Sequence, residues 1–237
     1  MKYNRILLKL SGESLQGSDG YTIDYQILNN LAKEINSVVT EGVGVGIVIG
    51  GGNIFRGVQG NALGFDRRQG DQMGMLATVI NSMALQNALE ATGIKAKVLT
   101  AMKIEGIGEK MSFRAAVKYI DEGNVVIMAG GTGSPFFTTD SGAALRALEI
   151  NANLLLKGTR VDGVYTADPE KDPTATKYDA LTFQEAYSKN LKIMDLTAFT
   201  MCRENNLPIC VYNSSEKGAL LRIIKGEKVG TIISNNL

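Results

Sequence analysis

Short runs of apolar, largely β-branched residues alternate with amphipathic segments along nearly the whole chain of 237 residues. Such alternation with short links is typical of a mostly parallel sheet covered by helices on both faces. The predicted strands cover residues 5–10, 43–49, 96–100, 124–128, 152–157, 208–213 and 230–234. The predicted helices cover residues 24–41, 70–92, 112–122, 139–150, 182–189, 197–205 and 215–225. We therefore predict an α/β fold, an open and mostly parallel sheet sandwiched by helices, in a single domain over residues 1–237.

Helix-capping residues support these limits, because short polar side chains accept hydrogen bonds from a first helical turn and glycine ends a last one. The predicted N-caps are Asp24, Ser112, Thr182 and Ser215. The predicted terminating glycines are Gly42, Gly93 and Gly123. Two segments break the alternation. Residues 13–23 are polar and predict a loop, and residues 157–179 predict a hairpin followed by an irregular excursion.

The chain contains no histidine, which excludes more chemistry than any other feature of its composition. A Ser-His-Asp or Cys-His nucleophile, a histidine general base and an imidazole zinc site all need that residue. The two cysteines, Cys202 and Cys210, lack a CxxC spacing, so we expect them to be buried, reduced thiols. Chemistry by carboxylates, lysine, arginine, backbone dipoles and a hard cation such as Mg²⁺ remains.

The charges of the chain nearly balance. A formal net charge of +1 gives no general attraction to nucleic acid or to an anionic membrane surface. The longest apolar runs are too short to cross a bilayer, and Lys9 interrupts the N-terminal apolar stretch, which argues against a signal peptide. We therefore expect a cytoplasmic protein with neither nucleic acid nor membrane as a partner.

Glycine, cationic and hydroxyl groups gather where three of the predicted strands end. The three stretches are Lys9-Leu10-Ser11-Gly12-Glu13, Gly50-Gly51-Gly52-Asn53-Ile54-Phe55-Arg56-Gly57 and Thr132-Gly133-Ser134-Pro135-Phe136-Phe137-Thr138-Thr139-Asp140. Ligands of open α/β sheets bind at this edge, where glycine lets backbone N–H groups approach an anion. Lys9 and Arg56 add positive charge. The pattern predicts a phosphate-handling site without a GxxxxGK[ST] or GxGxxG motif.

Each candidate side chain also has a purely structural interpretation. Asp71, Asp140 and Asp195 lie at or near predicted helix starts, where a carboxylate simply stabilises the helix. Lys9 is harder to explain in this way, because the desolvation of a lysine at the end of a buried strand costs free energy unless an anion faces it. The pair Arg67-Arg68 is predicted to be solvated.

The predicted helix at 70–92 has a broad apolar surface. We expect core packing for this surface first and a subunit interface second, because the apolar face is wide for a helix on a monomer. Its members are Met73, Met75, Leu76, Val79, Ile80, Met83, Ala84 and Ala88.

In their order along the chain, these motifs resemble the amino-acid-kinase family, and within it the bacterial uridylate kinases. The matching stretches run from Lys9 to the C-terminus and comprise KLSGE, GGGN-F-RG, GDQMGMLAT, TGSPFFTTDS, K-G-T-VDGVYTADP and KIMDLTAF. The GDQMGMLAT and PFFTTD stretches indicate the nucleotide-specific branch rather than aspartate, glutamate or N-acetylglutamate kinases. Ser134 and Tyr165 depart from the family, which often has Asn and Phe there, and both could tune contacts.

This resemblance implies transfer of the γ-phosphoryl group of ATP to UMP, giving ADP and UDP, with Mg²⁺ accompanying ATP, in pyrimidine nucleotide biosynthesis. It also implies a homohexamer regulated by GTP and UTP. Residues 1–150 would form the acceptor-nucleotide half and residues 151–237 the ATP half. The absence of histidine is compatible with this reaction, because the UMP phosphate is already an anionic nucleophile.

The resemblance further implies roles for individual positions. ATP would contact Lys9, Leu10, Ser11, Gly12, Gly52, Arg56, Thr159, Tyr165 and Asp168. UMP would contact Gly51, Arg56, Asp71, Thr132, Gly133, Ser134, Pro135, Phe136, Phe137, Thr138 and Thr139. The catalytic residues would be Lys9, Arg56, Asp140 and Asp195, the two aspartates orienting Lys9 and the metal shell, with no metal ligand assigned directly. The segment linked to GTP activation would comprise Gly17, Ser18, Asp19, Gly20, Tyr21 and Thr22.

Two other functions remain open at this stage. A kinase of the same fold acting on a carboxylate or carbamate would need a basic acceptor pocket without a ribose contact from Asp71. A nucleotide-binding regulator without turnover would not need the complete set of Lys9, Arg56 and Asp140, so that set argues against it. Competition by UMP and turnover of ATP distinguish the three.

Overall fold

The computed structural model describes residues 1–17, 21–55 and 64–237. The strands of this part are β1 (Arg5–Leu10), β2 (Gly44–Ile49), β3 (Ala96–Thr100), β4 (Glu109–Lys110), β5 (Val125–Ala129), β6 (Leu154–Thr159), β7 (Ala180–Thr182), β8 (Ile209–Asn213) and β9 (Thr231–Ser234). The helices are α1 (Tyr25–Val39), α2 (Arg67–Ala91), α3 (Phe113–Asp121), α4 (Thr139–Glu149), α5 (Phe183–Ser188), α6 (Leu196–Glu204) and α7 (Ala219–Lys225). A short 3₁₀ helix covers Gly12–Leu15.

The strands form a nine-stranded sheet in the order β4-β3-β5-β2-β1-β6-β8-β9-β7. Every neighbouring pair is parallel except β8 and β9, which pair antiparallel. The predicted α/β fold with a mostly parallel sheet between helices is therefore confirmed. β1 lies between β2 and β6, so its C-terminal end borders the ends of two parallel neighbours.

Each face of the sheet carries its own apolar core. One core packs the sheet against α1, α2 and α7, and the other packs it against α3, α4, α5 and α6. Along β1, Ile6 and Leu8 belong to the first core and Leu7 to the second, because successive side chains of a strand point to opposite faces. This alternation decides which helices a polar residue at the strand end will face.

The predicted segments all form, with shifts of a few residues at their ends. Asp24 caps α1 by accepting hydrogen bonds from the backbone N–H groups of Gln26 and Ile27. Thr182 caps α5 in a capping box with Glu185. Ser112 precedes α3 without a side-chain hydrogen bond to it. Positive φ angles of 80°, 86° and 82° confirm the expected conformations of the glycines Gly42, Gly93 and Gly123.

The N-cap prediction at Ser215 is wrong. α7 begins at Ala219 after Gly218, whose φ is 74°. Ser215 instead belongs to a turn, because its N–H group donates to the side chain of Asn213. The strands β4 and β7 were not predicted, since two or three residues are too few to show an alternating pattern.

No helix in the described ranges is long and apolar enough to cross a membrane. Cys202 and Cys210 are both buried, as expected.

Candidate active site

The ends of β1 and β6 place two lysines side by side. Lys9 and Lys157 are partners in the parallel register of these strands. Leu7 and Leu155, two residues earlier, point into the core beneath α4 and α6. Because side chains alternate along a strand, Lys9 and Lys157 project on that same face. There they meet Asp140, in the first turn of α4.

Asp140 lies between the two ammonium groups. Lys9 Nζ is 2.7 Å from Asp140 Oδ1, and Lys157 Nζ is 2.7 Å from Oδ2. The side chains of Lys9, Lys157 and Asp140 are only 11%, 15% and 15% exposed. The expectation that an anion faces Lys9 is thus met by the protein itself. The three buried side chains carry one more positive than negative charge, which favours a further anion at this position.

The electrostatic balance of the cluster keeps Asp140 ionised. Burial by itself raises the pKa of the Asp140 carboxyl, but the charges of Lys9 and Lys157 outweigh it and hold that pKa below its ordinary value. Burial lowers the pKa of Lys157, against the opposing attraction of Asp140, and the charge of Lys9 lowers it further. Since folding leaves an excess cation largely desolvated, binding of a phosphate group would relieve an existing electrostatic cost.

Lys157 is a site residue that our sequence analysis missed. The signal was present, because Lys157 ends a predicted apolar strand just as Lys9 does, and a glycine follows it. A second lysine at the end of an adjacent strand has the same desolvation problem as the first.

Asp195 is the N-cap of α6, as its sequence position predicts, and it also joins α6 to α4. Its carboxylate accepts hydrogen bonds from the hydroxyls of Thr138 and Ser141 and from the backbone N–H of Ala198. Thr138 in turn caps α4 by accepting from the backbone N–H of Ser141. Asp195 therefore fixes the start of the helix that carries Asp140.

The glycine turns after β1 and β2 touch each other directly. A Cβ atom on Gly12 would lie 2.5 Å from the carbonyl oxygen of Gly50 and 2.5 Å from Asn53 Oδ1. A Cβ atom on Gly51 would lie 2.7 Å from the Cβ of Ala77 in α2. Glycine is required at both positions, because the backbones approach too closely for a side chain.

Two buried asparagines hold this junction. Asn53 donates to Asn81 Oδ1 at 3.0 Å and to the carbonyl of Thr22 at 2.9 Å. Asn81 donates to Asn53 Oδ1 and to the carbonyl of Gly50, both at 2.7 Å. All four amide N–H groups of the pair are therefore used. The pair connects the glycine turn, α2 and the segment before α1.

Asp71 anchors a second cluster near the start of α2. Its carboxylate accepts from Arg67 Nε at 2.9 Å and from the backbone N–H of Phe136 at 2.8 Å. The Arg67 guanidinium lies 5.8 Å from the centre of the Phe136 ring. Both arginines are exposed, as predicted: Arg67 is 42% exposed while it pairs with Asp71, and Arg68 is 69% exposed and pairs with Asp66.

The segment between β5 and α4 is strongly turned. Gly130, Gly131 and Gly133 have φ angles of 80°, 58° and 82°, and Phe136 has a φ of 73° although it is not glycine. Thr132 Oγ1 accepts a hydrogen bond from the backbone N–H of Ser134. Phe136 and Phe137 are 65% and 50% exposed, so their rings are free to contact a ligand.

Two neighbouring cavities open beside Lys157. The first, which we call the transfer cavity, has a volume of about 230 Å³. It is lined by Lys9, Ser11, Glu13, Ser14, Lys157, Gly158, Thr159, Arg160 and Ser214. The second, which we call the excursion cavity, has a volume of about 500 Å³, and its lining includes Lys157, Thr159, Tyr165, Asp168 and Lys192. Lys157 and Thr159 line both, so the two cavities adjoin.

The irregular excursion at 157–179 forms one wall of the second cavity. Tyr165 and Lys177 form an antiparallel bridge, which agrees with the predicted hairpin. The hydroxyl of Tyr165 donates to Asp162, and this hydrogen bond raises the pKa of Tyr165. The structure thus brings Thr159, Tyr165 and Asp168 together on one cavity, the three positions that the resemblance assigns to the far end of ATP.

Several positions named from the sequence lie outside the described residues: Arg56, Ser18, Asp19 and Gly20. The residues on either side of 18–20 are described. The backbone N–H of Gly17 donates to the carbonyl of Tyr21 at 3.3 Å, and Thr22 is bonded to Asn53.

The described residues contain no group of three or more Asp, Glu or Cys side chains that could hold a metal ion. Asp140 and Asp195 are engaged by lysine, hydroxyl and backbone donors. These residues are compatible with a Mg²⁺ ion that binds together with the phosphates of a nucleotide, because Mg²⁺ commonly keeps water and phosphate ligands and needs few protein ligands.

One face of α2 is exposed although it is apolar. Met75, Val79 and Ala88 are buried, as core packing predicts. The residues Met73, Leu76, Ile80 and Met83 are 37%, 49%, 50% and 44% exposed, so for them the core prediction is wrong. Spacings of three and four residues place these four side chains on one stripe, which we call the α2 stripe.

Comparison with known proteins identifies the family. The model of the Amino acid kinase family matches residues 4–213. A uridylate kinase of Parabacteroides distasonis is 59% identical over 234 residues, which is 99% of each chain, and one of Porphyromonas gingivalis is 59% identical over 98% of each. The crystal structure of the UMP kinase of Bacillus anthracis matches with a TM-score of 0.96 at 39% identity, covering 100% of this chain and 98% of that one. The UMP kinase of Ureaplasma parvum matches with a TM-score of 0.93 at 41% identity over 99% and 100% of the two chains. The chain therefore belongs to the amino acid kinase family and, within it, to the uridylate kinases.

Proposed function

We propose that this protein transfers the γ-phosphoryl group of ATP to UMP, giving ADP and UDP, in pyrimidine nucleotide biosynthesis. The observation that carries the proposal is the cluster of Lys9, Asp140 and Lys157 at the edge of the transfer cavity. Phosphoryl transfer requires positioning and charge neutralisation rather than covalent chemistry from the protein. A buried pair of cations beside glycine turns supplies both. The uridylate kinase relatives at 59% identity support UMP as the acceptor.

In this reaction a phosphate oxygen of UMP attacks the γ-phosphorus, and the bond to the β,γ-bridging oxygen breaks with its electron pair leaving on ADP. Lys9 borders the transfer cavity and would hold the transferring group, while the turn at Ser11-Gly12 offers backbone N–H groups. Arg56, which lies outside the described residues, would clamp a phosphate. The excursion cavity, with Thr159, Tyr165 and Asp168, would hold the adenosine part.

The acceptor nucleoside would lie along the cluster of Asp71 and Phe136. Asp71 is 14% exposed at its side chain, and it would accept the ribose hydroxyls while holding the turn at Phe136. The glycine turn at Gly51-Gly52 and the segment 132–139 would complete the pocket, so residues 1–150 form an acceptor half and 151–237 an ATP half of one domain.

Mg²⁺ bound to ATP would neutralise phosphate charge during transfer. Asp140 and Asp195 would orient Lys9 and the shell of the metal, and each is already held by partners within the protein.

We further propose a cytoplasmic homohexamer that is regulated by GTP and UTP. The α2 stripe supports assembly, because four neighbouring apolar side chains between 37% and 50% exposed favour burial against another subunit. The segment 17–22 supports a regulatory link, because Thr22 is bonded to Asn53 in the glycine turn.

The proposal is tested by measuring ADP release from Mg·ATP with UMP, CMP, dTMP, aspartate, N-acetylglutamate and carbamate as separate acceptors. Fast turnover with UMP alone supports the acceptor assignment. Turnover with a carboxylate or carbamate would retain the ATP half and overturn the acceptor half. Tight nucleotide binding without turnover would instead favour a regulator.

A further inference from the structure

The two lysines of the site differ in how they are bonded. Lys157 Nζ donates to Asp140 Oδ2 at 2.7 Å and to the backbone carbonyl of Ile193 at 2.6 Å. Lys9 Nζ lies equally close to Asp140 Oδ1, with which it forms an ion pair. Lys157 therefore directs two of its three N–H donors at acceptors in two different segments, whereas Lys9 directs one at Asp140 and keeps two for another group.

The two acceptors of Lys157 belong to different segments of the site. Asp140 lies in the first turn of α4, and Ile193 lies two residues before Asp195, the N-cap of α6. The side chain of Lys157 therefore joins the start of α4 to the segment that leads into α6. The hydrogen bonds from Thr138 and Ser141 to Asp195 close the same connection from the other side.

The cost of burying Lys157 indicates that this connection matters. A buried ammonium is tolerated when hydrogen bonds and an opposite charge compensate its desolvation, and here Asp140 must serve two ammonium groups at once. An apolar side chain at this position would avoid the cost but would leave Asp140 Oδ2 and the Ile193 carbonyl without the donor that they share.

We propose that Lys157 is a positioning residue for phosphoryl transfer, which fixes Asp140 and the segment before Asp195 through its two hydrogen bonds and thereby leaves Lys9 free to hold the transferring group. The inference rests on the proposed function, and it concerns a residue to which the resemblance assigned no role. It separates the two lysines by role: Lys9 contacts the phosphoryl group, and Lys157 acts through Asp140 and Ile193.

The test compares Lys157→Ala with Lys118→Ala, an exposed lysine on α3, in the full-length protein. For Lys157→Ala we expect kcat to fall by about 10- to 100-fold, with the KM values for ATP and UMP within about threefold of the parent, because orientation and not binding is lost. Lys118→Ala should match the parent. Unchanged kcat in a folded Lys157→Ala protein would overturn the inference, as would a rise in the KM for ATP of tenfold or more at constant kcat.

Chemical rescue separates positioning from simple packing. Propylammonium matches the atoms that Lys157→Ala removes, and n-propanol has the same number of heavy atoms without the charge and with a single O–H donor. We expect propylammonium to restore at least about tenfold of the lost kcat and n-propanol to restore little, because only the ammonium can donate to Asp140 and to Ile193 at the same time. Equal rescue by both would reduce Lys157 to a space-filling residue and overturn the proposal.

Two further measurements keep the result interpretable. If Lys157→Ala fails to fold by circular dichroism, Lys157→Met retains the volume and takes its place, with loss of kcat expected and normal kcat contradicting. The parent protein assayed with UMP distinguishes the two proposals, because inactivity of the parent contradicts the function itself, whereas an active parent with an equally active Lys157 variant contradicts only the role of Lys157.

Discussion

Lys9 and Lys157 show how register can give one residue type two environments. Both end parallel strands and both face Asp140, yet Lys157 is held by acceptors in two segments and Lys9 is held by Asp140 alone. A lysine with free donors is suited to a group whose charge changes during reaction, because its N–H groups can follow that charge.

At the residue scale we predict that Lys9→Ala lowers kcat by about 10²–10³ and leaves the fold intact, because it removes a donor that stabilises the transferring phosphoryl group. Steady-state turnover with saturating ATP and UMP measures the effect, and circular dichroism checks the fold. Near-normal kcat in the folded variant would remove Lys9 from the mechanism.

Asp71→Asn should raise the KM for UMP roughly 10- to 100-fold and the KM for ATP much less. The substitution removes a charge that accepts hydrogen bonds from Arg67 and from the backbone of Phe136, so both the ribose contact and the turn at Phe136 weaken. Asp66→Asn, one turn earlier and more exposed, is the matched control. A larger rise in the KM for ATP would show that the two nucleotide pockets are reversed.

The sequence identified Lys9 from a local pattern, an apolar strand followed by serine and glycine. Local pattern alone did not identify Asp140 as the shared counter-ion, because a carboxylate at a helix start already has a sufficient local explanation and the lysines are far away along the chain. The resemblance implied that Asp140 orients Lys9, but not that it also pairs with Lys157. Lys157 shows the opposite case, since its local signal was as strong as that of Lys9 and was overlooked.

At the scale of elements, the Asn53–Asn81 pair links the glycine turn to α2. Asn81→Leu should destabilise the protein by about 1–3 kcal/mol for each group left unsatisfied, because Gly50 and Asn53 lose their donor inside the core. Urea unfolding measures this loss. The double variant Asn53→Leu/Asn81→Leu should lose less than the sum of the two single changes, and strictly additive losses would contradict a coupled pair.

Helices and strands with a long periodic pattern were predicted correctly. Prediction failed where strand pairing, a local turn or the surroundings of a helix face decided the structure. β4 and β7 have only two and three residues, and their pairing partners alone make them strands. Ser215 has a suitable side chain for a cap, but a turn closed by Asn213 delays the helix to Ala219. The prediction of core packing for the α2 stripe failed for another reason. The spacing of apolar residues defines a face of the helix, but it does not say whether that face meets the sheet or the solvent.

At the scale of the whole molecule, the buried charge cluster gives stability a dependence on acid. The pKa of Asp140 is lower in the folded protein than its ordinary value of 3.8. Its contribution is therefore fully present above pH ~4 and is lost as the pH falls through the lower, folded value. The free energy of unfolding in urea should thus fall below pH ~4.

Asp140→Asn removes the contribution of Asp140 to this acid dependence, and it also lowers the free energy of unfolding at neutral pH. It leaves two buried ammonium groups without their anion, so we expect a loss of about 3–5 kcal/mol at pH 7. The exposed Asp66→Asn should leave the free energy of unfolding nearly unchanged. Equal stability of Asp140→Asn and the parent at pH 7 would contradict the importance of the cluster.

The two cysteines sit on opposite sides of the central sheet. Cys202 belongs to the core beneath α4 and α6, and Cys210 to the core beneath α1 and α7. Burial raises the pKa of each thiol to about 12, so neither reacts at neutral pH without opening of its layer. We expect both to be alkylated at one common rate, measured by mass spectrometry of labelled peptides, because both layers share one sheet. Unequal rates would show separate opening. The two native cysteines therefore report on the opening of the two helix layers separately, one cysteine for each layer, and no further cysteine has to be introduced.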